Sequence, residues 1–261
     1  MTFQPIPAAS IAGMVFTLVV TTLLPILLCV VACRKLKRKP AAIFLGCVSF
    51  VLFALILEQS LHSIVLSNFT IQQNIWLYCV YGSAAAALFE ETGRYVLMKY
   101  RKNPLDEKDA VLFGLGHGGI EAILVVGVTY LNNLTYAIMI QSGQMDAALA
   151  GLDAAAAADA VASVSPLWTL PSYQFFIAGV ERVLTLGLQV ALSMLVFQAV
   201  QRKRIVYYLA AMAVHFSVNF ITLAAAQFIA PIYVEGILVL LVAAAGYAAW
   251  QVTRKNRVLE K

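Results

Sequence analysis

Charge is scarce in this chain of 261 residues: Asp, Glu, Lys and Arg make up only 12% of it. Ordinary soluble domains carry about 25% charged and about 45–50% apolar residues, whereas 62% of this chain is apolar. That balance excludes a soluble enzyme and a disordered chain. Cysteine is also sparse. The four thiols, Cys29, Cys33, Cys47 and Cys79, lie in apolar runs and form neither a CxxC pair nor a Cys/His cluster. A disulfide scaffold and a structural zinc knot are therefore excluded, and the cysteines read as small packing hydrophobes. Cys29 and Cys33, beside a basic flank, also have the setting of acylation sites. The net charge of +5 comes from short basic clusters between apolar stretches, which excludes a nucleic-acid binder. No Gly-rich phosphate loop, GxSxG or HExxH occurs.

What the chain does have is apolar length. At about 20 residues per crossing it accommodates up to seven or eight membrane helices. Hydropathy places seven spans at about 8–33, 41–66, 76–98, 110–138, 172–200, 205–229 and 232–252. The first apolar run lacks the basic start of a cleaved signal peptide and reads as a retained anchor. Lys and Arg cluster at 34–39, 99–108, 202–204 and 254–261, after alternate spans, while the other connections carry none. Basic loops stay cytoplasmic, so the N-terminus is expected outside and the C-terminus inside. These basic loops are expected to meet anionic lipid at the cytoplasmic face. The expected fold is an all-α polytopic membrane bundle forming a single domain over 1–261.

One connection is long. Residues 139–171 form an Ala-rich outer loop with Asp146, Asp153 and Asp159 spaced six or seven apart. That spacing predicts a helix with a polar stripe lying across the outer face, and the competing reading is a loosely structured low-complexity loop. Asn68-Phe69-Thr70 matches a glycosylation sequon, a pattern common by chance.

Ionisable side chains that fall within the spans include Glu58, Glu90, Glu91, Arg94, Glu121, Glu181 and Arg182. Each costs roughly 2.5–3.5 kcal/mol at a helix centre before pairing reduces it, so each is a functional-site candidate. On span three, FEETGRY sets Glu90 and Arg94 four apart, on one face and able to pair. Glu91, rotated by about 100°, is expected to point elsewhere and stay free to titrate. On span four, GHGGIEA projects His117 and Glu121 from one face, and its glycines admit a neighbouring backbone. On span six, HFSVN pairs His215 with Asn219. At 1.5 Å per residue the three pairs lie roughly 10–21 Å from the cytoplasmic ends, so they are expected to share one site. Glu58 with His62, and Glu181 with Arg182, lie nearer the outer ends and read as structural pairs.

A carboxylate in apolar surroundings can take a proton from water near neutral pH. A nearby imidazole would orient that water or protonate a leaving amine, and Asn219 with a second imidazole would stabilise an oxyanion. The leading expectation is hydrolysis of a membrane-embedded or membrane-proximal peptide by glutamate-activated water. The alternative is zinc held by His117, Glu121 and His215 with Glu90 or Glu91. A proton-coupled transporter and a non-enzymatic scaffold are the other classes. The transporter is disfavoured by the lack of an inverted repeat, and tolerance of Glu90→Ala would mark the scaffold.

FEETGRY, GHGGIEA and HFSVN, in that order over the multi-span chain, resemble the YhfC-type membrane peptidases. That group is related to the CAAX prenyl endopeptidase, bacteriocin-processing and PrsW proteases. The resemblance implies an intramembrane protease of a bacterial plasma membrane. It also implies Glu90 as the water-activating base, Glu91 and Arg94 as its positioning partners, His117 as the second-motif histidine, and His215 with Asn219 as the last motif. Here only Thr92 and Gly93 separate Glu91 from Arg94, where the prenyl endopeptidases usually have three residues. That moves Arg94 by about 100° around the helix and leaves open which glutamate is the base.

Overall fold

The computed structural model describes residues 3–101 and 103–258, with side chains to residue 255. Lys102 and Lys261 of the basic connections lie outside the described residues, as does the side chain of Arg257. Among the described residues every regular element is helical. Among the described residues, six helices are long and apolar enough to cross a membrane. They are α1 (Ala8–Leu36), α2 (Ala41–Val65), α4 (Glu107–Gln141), α5 (Tyr173–Gln201), α6 (Ile205–Ala225) and α7 (Pro231–Val258). A seventh long helix, α3 (Ile75–Lys99), occupies the remaining apolar segment, and Glu90, Glu91 and Arg94 lie within it.

Helices are the economical answer for such a sequence, because in hydrocarbon every backbone donor and acceptor must be satisfied within its own segment. Local signals set their ends. Asn74 caps α3, its Oδ1 accepting from the amides of Trp76 at 3.1 Å and Leu77 at 3.2 Å. Pro231 opens α7, where its missing N–H removes nothing. Two stretches widen to π-helix: Phe50–Glu58 within α2 and Ala122–Gly127 within α4. Such widening recurs near functional sites, and Glu121 immediately precedes the second.

The chain divides into two compact units, Met1–Leu24 with Ala122–Val183 and Pro25–Glu121 with Leu184–Lys261. In the first unit, Met14, Ala137, Val164, Leu167 and Phe175 form the buried core. Thr17 there donates to the Phe175 carbonyl at 2.5 Å. The Ala-rich segment belongs to this unit and departs from the single striped helix expected of it. It forms short helices at Gln144–Leu149, Ala154–Val164 and Pro166–Thr169. Asp153 is the reason for one break: its side chain accepts from the Ala156 amide at 2.8 Å, so it starts a helix rather than joining a stripe. Glu181 and Arg182 also lie in this unit and pair with each other.

The second unit holds the larger core, centred on Leu112, Phe113, Leu192, Val196 and Ala211. Within it α2 packs along the first half of α4, and α3 packs along α6. Glycine permits the α2–α4 contact. A Cβ on Gly116 would overlap the Ile43 carbonyl, and one on Gly46 would overlap that of Phe113. The two backbones therefore touch, as small residues allow at membrane helix contacts. Cys47 Sγ lies 3.3 Å from the Gly116 carbonyl, a weak donor completing this seam. Arg38 pairs with Asp106, tying the connection after α1 to the one before α4.

Candidate functional site

Every polar side chain of the expected site except Asn219 takes part in a buried network in the second unit. On α3, Glu91 and Arg94 are completely buried and Glu90 is nearly so. Because Arg94 lies three residues after one glutamate and four after the other, its forked guanidinium reaches both. Nη1 donates to Glu91, and Nη2 lies 3.3 Å from Glu90 Oε2. This corrects the expectation that Glu91 points away and stays free. The roughly 100° between adjacent helical residues is spanned by the width of the fork.

His117 on α4 is fully buried, and its Nε2 lies 2.9 Å from Glu90 Oε2. Phe50, from the π-helical part of α2, packs edge-on against the imidazole at 5.4 Å. Glu121, one turn further along α4, is half-buried. One donor atom each from Glu90, His117 and Glu121 lie within 4.8 Å of one another.

His215, on α6, turns to the other glutamate: its Nδ1 lies 2.7 Å from Glu91 Oε1. Of the residues contemplated for zinc, Glu90, His117 and Glu121 bring their donor atoms together, and His215 is not in that group. Asn219, a turn beyond His215, is half-buried and its side chain makes no hydrogen bond among the described residues. Two linked clusters result, Glu90–His117–Glu121 and Glu91–His215, with Arg94 between them. Glu58 and His62 form their own pair at 3.2 Å, and His62 Nδ1 lies 2.8 Å from the Tyr81 hydroxyl.

One participant was not singled out from the sequence. Gln189 on α5 is 3% exposed. Its Nε2 donates to Glu121 Oε2 at 2.6 Å and to Glu90 Oε2 at 3.3 Å, while its Oε1 accepts from Arg94. The available signal was a glutamine in an otherwise apolar stretch of α5, a weaker mark than a charge because an amide is cheaper to bury.

The residues present fit a divalent metal. His117 Nδ1 is buried without a hydrogen-bond partner among the described residues. Its Nε2 faces Glu90, so the donor set is one imidazole with the carboxylates of Glu90 and Glu121; catalytic zinc sites commonly use three protein ligands drawn from His and Asp/Glu, leaving a position for water. The cysteines are free and lie outside the group.

Residues 20–248 match the family described as YhfC intramembrane metalloprotease. The uncharacterized membrane protein YhfC of Bacillus subtilis (strain 168) is 35% identical over 199 residues, covering 74% of this chain and 76% of that protein. No solved structure matches. The apolar helices and these matches make this an integral membrane protein, and the source of the relative accords with a bacterial plasma membrane. The chain belongs to the YhfC intramembrane metalloprotease family.

Proposed function

We propose that this protein is a metal-dependent endopeptidase that hydrolyses a peptide bond within or beside the membrane. The observation that carries this reading is the convergence of donor atoms from Glu90, His117 and Glu121 within 4.8 Å. These three residues hold the metal, with zinc the ion that best suits an imidazole and two carboxylates. When bound, such an ion polarises a carbonyl and acidifies water.

The chain's own groups supply the rest. Arg94 balances the charge of Glu90 and Glu91, which would otherwise repel each other in a medium that screens poorly. Glu91 fixes the ring of His215 through Nδ1, so Nε2 is the nitrogen presented to substrate. His215 Nε2 takes a proton from the attacking water and returns it to the leaving amine, the usual work of an imidazole held by a carboxylate. Asn219, with no competing hydrogen bond among the described residues, donates its amide to the carbonyl oxygen as negative charge develops there.

A metal-free version has one specific observation in its favour, the 2.9 Å contact between His117 and Glu90. In that version Glu90 is the base that activates water, and His117 orients it.

The active domain takes in both compact units, since the family match runs through each. We read α3 as a seventh crossing whose polar side chains are accommodated by pairing inside the protein, with the N-terminus outside and the C-terminus inside. The site then opens toward the cytoplasm, with a membrane-embedded or membrane-proximal peptide as substrate and anionic headgroups around the basic connections.

The test compares membrane-derived peptides in cells making the wild-type protein or E90Q. Products present only with the wild type are expected. Identical peptide profiles at equal protein levels would refute the protease reading.

A further inference from the structure

Gln189 is bonded on all sides by charged groups yet carries no charge itself. Arg94 Nη2 donates to its Oε1, which fixes the amide's orientation, because the reversed amide would set an N–H against the guanidinium. With that end locked, Nε2 lies 2.6 Å from Glu121 Oε2 and 3.3 Å from Glu90 Oε2 and donates one hydrogen to each. These are two of the three residues of the candidate metal group.

Glu90 and Glu121 are the two carboxylates of that group. A lysine between them would satisfy the charges but repel the incoming cation, and a histidine or acid would compete as a ligand. A primary amide donates to both oxygens, adds no charge and is a poor ligand for zinc.

We propose that Gln189 is the positioning residue of the metal centre: locked by Arg94, it holds Glu90 and Glu121 side by side as ligands. This rests on the metal-dependent reading above. The backbone supports the placement. A Cβ on Gly118 would sit 2.9 Å from Gln189 Cβ, so the bare glycine lets α5 bring Gln189 against α4 beside His117 and Glu121.

The test is a zinc titration of the full-length protein in detergent, against a competing chelator, for wild type, Q189M and Q189N. Methionine keeps the length and removes every hydrogen bond. Asparagine keeps the amide but is one methylene too short to reach both carboxylates. Hydrogen-bond partners of metal ligands are typically worth about 10–100-fold in metal affinity. We expect zinc affinity to fall by that factor in both variants, with thermal midpoint and helix content of Q189N near those of the wild type. Should Q189M fail to fold, Q189N decides. Wild-type affinity in folded Q189N would overturn the role of Gln189 while leaving the metal centre standing. A wild-type protein that binds no stoichiometric zinc would overturn both.

Discussion

His117 Nε2 and Glu90 Oε2 lie 2.9 Å apart across the interface of two long helices, though 27 positions separate them in the chain. The contact joins the first and second polar motifs and makes one site of two helices. If it marks the reacting centre, H117A should abolish turnover while the protein remains inserted and monodisperse. Full turnover by H117A in a purified peptide-cleavage assay would remove His117 from the chemistry.

His215 is assigned proton transfer and no share in holding the metal, because it lies outside the group in which Glu90, His117 and Glu121 converge. H215A is therefore expected to lower kcat by about 10²–10⁴-fold, the usual range for a general acid–base group, with the bound metal unchanged. Elemental analysis beside the kinetic assay separates these. Loss of metal together with activity would place His215 among the ligands.

Arg94 is the only guanidinium that touches both Glu90 and Glu91 among the described residues, and it is completely buried. Removing one partner of a buried ion pair leaves the other charge uncompensated, at a cost of about 3–5 kcal/mol. R94M is expected to unfold at a markedly lower temperature than the wild type in the same detergent. R94M/E91Q, which also removes one of the stranded carboxylates, should recover part of that loss. An unchanged midpoint in R94M would mean that the pair of glutamates does not depend on Arg94.

The seam between α2 and α4 makes a purely structural prediction. A methyl group on Gly116 meets the Ile43 backbone, which no rotamer change relieves, whereas one on Gly187 meets only Val242 Cγ1 at 3.7 Å. Overpacking costs typically about 1–3 kcal/mol, so G116A should lower the thermal midpoint and G187A should leave it near the wild-type value. Equal midpoints for the two variants would contradict the close approach.

The parts of this site that were legible in the sequence are those that carry charge. Glu90, Glu91 and Arg94 announce themselves in an apolar helix because each is expensive there, and the four-residue spacing of His117 and Glu121 gives their shared face directly. Arg94 reaching both glutamates was not legible, because a helical wheel treats a side chain as a direction and ignores the span of a guanidinium. Gln189 was not legible either: its part depends on the register of α5 against α4, which is set by packing around Gly114 and Gly118 rather than by any local pattern. The same holds for the choice of His215 between the two glutamates. The π-helical stretch Phe50–Glu58 is apolar throughout apart from its last residue, so composition gave no sign of its wider turn. In the Ala-rich segment the aspartate spacing suggested a stripe, but Asp153 served the backbone instead.

The most direct test of the central claim is the metal content of purified, active protein, measured alongside its peptidase activity before chelation, after chelation and after zinc is returned. Close to one divalent ion per wild-type chain is expected, with activity that disappears and returns with it and loss of the ion in H117A. Full activity in protein stripped of metal would contradict that claim and leave Glu90 as the base of a metal-free hydrolase.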